Sequence, residues 1–446
     1  MKKAAFHNLG CKVNYYETEA MLQSLEENGY QIVDFEDKAD IYIVNTCSVT
    51  NMADRKSRQM LHKAKKNNPE AVVVAVGCYV QAVGEQILKD NGVDIAIGND
   101  QKGELSEILR KYYDENGEAF VVEDLKHPRC YENISIVRED NHTRAYIKVQ
   151  DGCNQFCSYC IIPYVRGRIR SRMVGDVITE ITSLVAQGVS EVVLTGIHLS
   201  SYGLEKLRAS GDYGGQTFAT NYLLELIERV SAIPGLKRVR LGSLEPRIIT
   251  EDFALRLAQI PQICPHFHLS LQSGCDSVLK RMNRMYTAAE YREKCEILRR
   301  CFDNPAITTD VIVGFPGETE DDFETTREYL KEIKLYETHI FKYSPRRGTQ
   351  AAIMKQQVPE SVKNERSATL IELGAGNAHD FRESYIGRRV EVLWEEVESV
   401  EGRDYLTGYT REYIRAAVPA DAGREPGSVT EVTVEGFLTD EIMICK

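Results

Sequence analysis

Six of the twelve cysteines in this 446-residue chain stand where they could do chemistry. Cys153, Cys157 and Cys160, here called the local set, have the spacing C-x3-C-x2-C, and thiolates this close can hold one soft metal centre. Neither a fourth cysteine nor a Cys-Pro pair follows, which argues against a closed zinc site and a bacterial ferredoxin run. Three thiolates on a four-iron cluster would leave one iron open to another molecule. A zinc knuckle or a buried cysteine-rich turn is the alternative interpretation.

Three further cysteines, here called the dispersed set, each follow a predicted strand: Cys11, Cys47 and Cys78. In a parallel sheet the carboxyl ends of the strands lie at one edge, where open α/β sheets bind ligands. Gly10 and Gly77 precede two of these cysteines and permit close approach of the backbone. The pattern predicts a second site at that edge; three buried cysteines in unrelated loops is the alternative.

The elements that would position the dispersed set alternate between strand and helix. In residues 1–113, the apolar runs Ala4–Leu9, Ile41–Val44 and Val72–Val76 each precede a helical pattern. Alternating elements of this kind predict an α/β domain with a doubly wound parallel sheet.

The rest of the chain predicts two more domains. Residues 139–370 contain six strand–helix units, and the local set follows the first of these strands. Because a closed barrel of this type needs eight units, the pattern predicts a partial (β/α)6 barrel. Residues 376–442 contain short strands separated by Gly and Pro, which predict a small β-barrel.

Composition excludes several classes of protein. A hydrophobic fraction of 43% suffices for packed cores and excludes global disorder. The chain has no apolar run of about 18 residues and its N-terminal segment has no apolar signal region, so we expect a cytoplasmic protein with no membrane span and with reduced thiols. The net charge of −12 argues against non-specific nucleic-acid binding by the whole chain, although it permits a local basic surface.

These motifs resemble the methylthiotransferases of the radical S-adenosylmethionine (SAM) superfamily over nearly the whole chain. The resemblance includes the dispersed set, the segment CNQFCSYCIIPYVRGRIRSR that begins at Cys153, and the segments LTGIHLSSYG, LGSLEP, HLSLQSGCDSVLKRMNRMYT, DVIVGFPGET and FKYSPRRGT. The last section resembles a TRAM domain, a small β-barrel that binds RNA.

The resemblance implies two [4Fe–4S] clusters and SAM as cofactors. The local set would hold the cluster that binds SAM, and the dispersed set would hold an auxiliary cluster that carries the sulfur to be transferred. One SAM would methylate that sulfur, and a second would supply the 5′-deoxyadenosyl radical that activates C2 of an adenine. No catalytic residue is expected beyond the cluster sites. The residues expected at SAM are Gly196, Ser243, Glu245, Gln272 and Gly314.

Basic residues near both cysteine sets suggest where RNA would lie. Four arginines after Cys160 alternate with uncharged residues, and in an extended segment they would share one face and form a phosphate track: Arg166, Arg168, Arg170 and Arg172. A solvated charge run is the alternative. A basic segment at 55–66 and the pair Arg346-Arg347 also follow strand ends, so all three patches could line one cleft.

The C-terminal section needs a local face to bind RNA, because from Phe381 onward it has fourteen acidic residues against eight basic ones. The run GYTREYIR alternates aromatic and basic residues, and on one strand it would place four side chains on the same side: Tyr409, Arg411, Tyr413 and Arg415. Rings and guanidiniums together suit single-stranded bases. A partly buried strand with solvated arginines is the alternative.

The closest resemblance within the family implies a function in tRNA. The chain would convert N6-threonylcarbamoyladenosine at position 37, next to the anticodon, to its 2-methylthio derivative. Its partners would be the tRNA anticodon stem-loop, an external electron donor and a sulfur source, and a cationic track would suit the carboxylate of the threonylcarbamoyl group. Alternatives within the family act on isopentenyladenosine in tRNA or on an aspartate of a ribosomal protein. An alternative from another class is a non-catalytic iron–sulfur or zinc protein that binds RNA.

Overall fold

The computed structural model describes residues 1–90, 92–115, 120–125, 130–138, 143–209 and 218–446. The N-terminal domain alternates six strands with four helices: β1 (Lys3–Asn8), α1 (Lys12–Glu27), β2 (Gln31–Val33), β3 (Ile41–Thr46), α2 (Asn51–Asn67), β4 (Val72–Gly77), α3 (Cys78–Val83), β5 (Ile95–Ile97), α4 (Leu105–Glu115) and β6 (Phe120–Val121). The strands form one parallel sheet in the order β2-β1-β3-β4-β5-β6.

Both faces of this sheet are covered, which confirms the doubly wound prediction. Alternate strand residues pack against α1 and α4 on one face, as Ile43 and Val74 do, while Val44 and Ala75 pack against α2 on the other. Burial on both faces explains why these strands read as continuous apolar runs.

In the described residues of the central domain follow seven strands and nine helices: β7 (Arg144–Asp151), α5 (Ile162–Val165), β8 (Arg170–Ser171), α6 (Val174–Ala186), β9 (Glu191–Gly196), α7 (Leu204–Ala209), α8 (Thr220–Ser231), β10 (Arg238–Leu241), α9 (Glu251–Ala258), β11 (His266–His268), α10 (Asp276–Arg281), α11 (Ala288–Cys301), β12 (Ala306–Val313), α12 (Glu320–Ile333), β13 (Glu337–Lys342) and α13 (Glu360–Glu383).

Six parallel strands of this domain follow one another in the order β7-β9-β10-β11-β12-β13. The strands β10 and β11 are joined through the parallel bridge Leu244–Leu269 at their carboxyl ends. The short strand β8 lies antiparallel to β7. The predicted partial (β/α)6 barrel is therefore confirmed among the described residues.

In the barrel strand β7, the face that packs against the helices is apolar, and the opposite, inward face is polar. Ala145, Ile147 and Val149 of β7 belong to the core under the helices, whereas the alternate residues Arg144 and Lys148 lie in buried ion pairs. A polar interior gives the other two domains charged groups to contact.

Five strands complete the chain: β14 (Arg389–Val400), β15 (Arg403–Thr410), β16 (Arg415–Pro419), β17 (Val429–Phe437) and β18 (Ile442–Cys445). They form a closed barrel in the order β14-β15-β16-β18-β17, with Trp394 and Met443 in its core. The sequence analysis ended the central domain at residue 370 and began the C-terminal domain at residue 376. In the structure, helix α13 continues across this predicted boundary. In the described part of the chain, no helix is long and apolar enough to cross a membrane.

Candidate active site

The local set lies directly after β7, at the carboxyl edge of the barrel. Gly152 has a φ of +71°, and a side chain there would stand 2.0 Å from the carbonyl oxygen of Arg168, so only glycine fits. The backbone N–H of Ser158 donates to the carbonyl of Met282 at 3.0 Å and anchors the loop against the end of α10.

The local set is buried at Cys153 and partly exposed at Cys157 and Cys160. Burial raises the pKa of Cys153 to about 12, and burial together with the neighbouring thiols also raises the pKa of Cys160. Arg284 is a residue that the sequence analysis missed: its Nη1 donates to Sγ of Cys157 at 3.3 Å and its Nη2 donates to the carbonyl of Ser270. It lies within HLSLQSGCDSVLKRMNRMYT, but no spacing rule links it to Cys157.

The dispersed set lies at the carboxyl edge of the N-terminal sheet, as predicted. Cys11 precedes α1, Cys47 follows β3 and Cys78 begins α3. A side chain at Gly10 would stand 3.3 Å from Sγ of Cys47, so this glycine lets the first two loops meet. Burial raises the pKa of Cys47 to about 11, and the nearby thiols of Cys78 and Cys11 add to that rise.

The two cysteine sets belong to different domains but share a packed contact. Cys78 packs in one apolar cluster with Ile161, which follows Cys160, and with Val165 of α5. Asn99 strengthens the contact, because its Nδ2 donates to the carbonyl of Val165 at 2.6 Å and lies 3.6 Å from Sγ of Cys78. This contact fixes the two sites relative to each other.

Both sets fit clusters better than single ions. All twelve cysteines are free thiols. No three His, Cys, Asp or Glu side chains within the described ranges stand close enough to hold one metal ion. In a [4Fe–4S] cluster each thiolate binds a different iron, so the thiolates stand farther apart. Three converging thiols on a glycine-bearing edge therefore suit a cluster in each set.

A cavity of about 250 Å³ opens between the barrel and the N-terminal domain. Tyr159 of the local loop lines it from the barrel, and Val49 and Thr50, just after Cys47, line it from the N-terminal domain. Further wall comes from the carboxyl ends of β12 and β13: Asp310, Ile312, Phe341, Lys342, Tyr343 and Ser344. Its mainly apolar wall with a few polar groups is typical of a site for a small molecule.

The predicted arginine track is wrong for three of its four members, because they are buried in ion pairs. Nη1 of Arg166 lies 2.8 Å from Oε1 of Glu17, and Nη1 of Arg170 lies 2.8 Å from Oδ1 of Asp100. Arg172 pairs with Glu180. Arg168 alone is exposed. The segment joins domains and does not offer a row of free guanidiniums to phosphates.

Glu17 is the centre of this interdomain network. Its carboxylate, fully buried on α1, pairs with Lys102 of its own domain and with Lys148 and Arg166 of the barrel. Burial raises the pKa of Glu17, but the three cations outweigh burial and hold it well below its usual range. Nη2 of Arg166 also donates to Oδ1 of Asn14, three residues after Cys11.

Comparison with known proteins agrees with this geometry. The profile described as "Uncharacterized protein family UPF0004" matches residues 3–98, and that of the radical SAM superfamily matches residues 147–330. The threonylcarbamoyladenosine tRNA methylthiotransferase MtaB of Bacillus subtilis is 41% identical over 93% of this chain and 90% of its own length. The chain belongs to the radical SAM methylthiotransferase family. A family member from Moorella thermoacetica, a tRNA-2-methylthio-N(6)-dimethylallyladenosine synthase, is 36% identical over 92% of this chain and 91% of its own.

Solved structures support the radical SAM fold. The radical SAM methyltransferase TsrM from Kitasatospora setae matches with a TM-score of 0.57 at 16% identity, over 79% of this chain and 77% of that one. The cobalamin-dependent SAM radical enzyme OxsB matches with a TM-score of 0.51 at 11% identity, over 83% and 56%.

The residues expected at SAM in this family lie at the carboxyl edge of the barrel, in different surroundings. Gln272 lines the cavity, with a strained φ of +72°. Ser243 is exposed after β10. Glu245 accepts from Nε of Arg247 at 2.6 Å and from the backbone N–H of Arg247 at 2.8 Å. A contact of these three with SAM stays a prediction.

The two glycines expected at SAM are explained by packing within the protein. A side chain at Gly196 would stand 2.9 Å from Cβ of Gln150, and one at Gly314 would stand 2.3 Å from Cγ of Lys363. Their role toward a ligand stays a prediction.

The predicted aromatic face of the C-terminal barrel is wrong in its geometry. Strand β15 ends at Thr410 and β16 begins at Arg415, so the run GYTREYIR contains a turn, in which Tyr413 has a φ of +70°. Tyr409 and Tyr413 stack on each other with centroids 4.5 Å apart, and the guanidinium of Arg144 lies 4.9 Å from the ring centre of Tyr409.

The two arginines of this run also have protein partners. Nη2 of Arg411 donates to the carbonyl of Ile263 at 2.7 Å, and Arg415 pairs with Glu398. Arg411 joins the C-terminal barrel to the central domain, whereas Arg415 is paired within the C-terminal barrel, so the two arginines do not form the predicted face with the tyrosines.

Proposed function

We propose that this chain transfers a methylthio group to C2 of N6-threonylcarbamoyladenosine at position 37 of tRNA. The observation that supports the proposal is the packed contact between Cys78 of the dispersed set and Ile161, the residue after Cys160 of the local set. Tyr159 of the local loop and Val49 and Thr50, just after Cys47, line one cavity. The choice of base is supported by the relatives that act on threonylcarbamoyladenosine, of which the protein from Aquifex aeolicus is 39% identical over 88% of this chain and 92% of its own.

Residues of this chain would hold the two clusters and bind the adenine of the substrate. The local set would hold the cluster that supplies reductive cleavage of SAM, and the dispersed set would hold the cluster that supplies the sulfur. Tyr159, Phe341 and Val49 would enclose the adenine and exclude water, and Gln272 and Asp310 offer hydrogen-bonding groups along its edge. The C2–H bond of adenine is not acidic, so the cavity needs no general base.

The proposed partners follow from the same chemistry. The substrate is the anticodon stem-loop of tRNA in the cytoplasm. An external donor would supply electrons to the local set, and a sulfur source would replenish the dispersed set after each turnover.

Mass spectrometry of tRNA nucleosides tests the choice of base. We expect a strain that lacks the gene to lose 2-methylthio-N6-threonylcarbamoyladenosine and to accumulate its unmethylthiolated precursor. Loss of the 2-methylthio derivative of isopentenyladenosine instead would show that the chain resembles its relative from Moorella in substrate. A purified protein with zinc and no iron would contradict the enzymatic function altogether.

Two cysteine variants test the assignment of the sites. Cys157→Ala is expected to abolish SAM cleavage, whereas Cys47→Ala should keep SAM cleavage and lose methylthio transfer. Cys130→Ala is the matched control, because Cys130 is exposed and belongs to neither set. Normal methylthio transfer by Cys47→Ala would refute the two-site assignment.

A further inference from the structure

A second, larger groove lies beside the active-site cavity. Its volume is about 590 Å³, and it is lined by α2, by the start of α3, by the segment after the local set and by residues 346–348. Tyr79 and Ile161 contribute to its wall, and each follows a cysteine of one set directly in the sequence. The groove therefore borders both cysteine sites.

The groove and the cavity are lined by the same two segments of chain. Val49, Thr50 and Ser344 face the cavity, whereas Asp54 and Arg347 face the groove. The two segments are tied together, since the backbone N–H of Asn51 donates to Oγ of Ser344 at 3.1 Å. A chain of nucleotides that sends one base into the cavity can place a neighbouring nucleotide in the groove.

The groove is cationic. Arg346 is buried and donates to Oδ2 of Asp54 at 2.7 Å, so these two charges cancel. Asp54 is the one acid among the described residues that line the groove. Arg58 donates to the hydroxyl of Tyr79 at 3.0 Å and, like Arg347, forms no ion pair with Asp54. Arg347 is exposed and has no ion-pair partner in the part of the chain that the structure describes. Two positive charges in a concave wall suit a phosphate backbone.

The groove also offers aromatic faces. Tyr164 lines the groove and is 50% exposed, so its ring is accessible to a molecule bound there. Its ring meets Phe156 edge-on with centroids 5.7 Å apart, and Phe156 is covered on its own face by the guanidinium of Arg168 at 4.7 Å. Exposed rings interleaved with arginines bind unstacked bases of single-stranded loops.

We infer that this groove binds the nucleotide next to the modified one in the anticodon loop. Its base would stack on Tyr164 and its phosphates would contact Arg347 and Arg58. The inference rests on the proposed function, because it takes the occupant of the adjoining cavity to be a base of that loop. It also gives RNA a binding surface at the active site in place of the buried track at Arg166, Arg170 and Arg172.

The test measures binding of an anticodon stem-loop RNA that carries N6-threonylcarbamoyladenosine to the anaerobically reconstituted enzyme. Tyr164→Ala should weaken the affinity about 5- to 150-fold, the range for loss of one stacked base. Tyr164→Phe keeps the ring and should bind as the unaltered protein does. Arg347→Ala should lower the slope of log affinity against log salt by about 0.7, the value for one phosphate contact on a single strand.

Controls separate this inference from the proposed function. Arg300→Ala removes an exposed arginine from α11, where it pairs with Glu251, and should leave both affinity and salt slope unchanged. Iron content shows that each variant holds both clusters. If Tyr164→Ala and Arg347→Ala bind the RNA as tightly as Arg300→Ala, and with the same salt slope, the groove does not hold the loop. If the unaltered enzyme neither binds nor modifies this RNA, the proposed function fails with it.

Discussion

Replacing Glu191 with glutamine is expected to loosen the joint between the central and C-terminal barrels. Glu191 is fully buried, with Nε of Arg240 at 3.0 Å and with Arg144 and Arg238 each at 3.6 Å. All three arginines also contact the C-terminal barrel, Arg144 by pairing with Glu395. Nη1 of Arg240 donates to the carbonyl of Arg411 at 2.9 Å, and Nη2 of Arg238 donates to the carbonyl of Glu391 at 2.8 Å.

The pKa of Glu191 gives the size of the expected loss in unfolding free energy. Burial raises this pKa, but Arg240, Arg144 and Arg238 outweigh burial and lower it to about 2. The pKa in an unfolded chain is about 4.3, and the difference corresponds to roughly 3 kcal/mol of stability at neutral pH. Because the folded-state pKa is lowered, this stability is present above the unfolded pKa and is lost as pH falls toward 2.

Trp394 provides the assay. It is the one tryptophan of the chain, and it lies buried in β14 of the C-terminal barrel, so its emission during urea unfolding reports on that domain. Glu191→Gln should lower the unfolding free energy by about 3 kcal/mol at pH 7, and this difference should shrink by roughly half a kcal/mol at pH 4. Glu251→Gln is the control, since that carboxylate is 71% exposed and should change stability by less than about 0.5 kcal/mol. Equal stability of the two variants at pH 7, or a difference that grows in acid, would refute the reasoning.

Three further predictions concern Glu17, Arg284 and Gly314. Glu17→Gln leaves three buried cations without their counter-charge and should lower the unfolding free energy by about 3–5 kcal/mol. The loss should appear as faster backbone hydrogen exchange where α1 meets the barrel, and unchanged protection of those amides would contradict the prediction. Arg284→Met removes a positive charge beside Cys157, a proposed cluster ligand, and should lower the reduction potential of the cluster held by the local set in an EPR-monitored titration, so an unchanged or raised potential would count against that role. Gly314→Ala should lower the stability by at least about 1 kcal/mol, because φ is +70° and the new Cβ meets Lys363, whereas Gly376→Ala, in open space on α13, should be neutral or stabilising in the same thermal unfolding experiment.

The sequence was sufficient where local chemistry and topology agree. The position of Cys11, Cys47 and Cys78 after parallel strands follows from strand periodicity alone, because all carboxyl ends of a parallel sheet lie at one edge. The same logic placed Cys153 at the mouth of the barrel. Six strand–helix units were countable because short segments with apolar residues alternate with helical patterns along the chain.

The sequence failed where a charge finds its partner far along the chain. The alternation from Arg166 to Arg172 predicts that the arginines share one face, but it does not reveal whether that face is buried or exposed. Their partners Glu17 and Asp100 lie in another domain. The prediction for the run that contains Tyr413 was wrong for a local reason. Alternating residue types do not reveal that the chain turns at Tyr413, whose backbone is left-handed. Arg284 escaped notice because its contact with Cys157 depends on how α10 packs.

The shared carboxylate of Glu17 also bears on how such chains can be recombined. A chimera that joins the barrel of this chain to the N-terminal domain of a relative would keep Lys148 and Arg166 but would take the residue at position 17 from the relative. We therefore expect functional hybrids to cross over outside the unit formed by α1 and β7, so that this helix and this strand are inherited together.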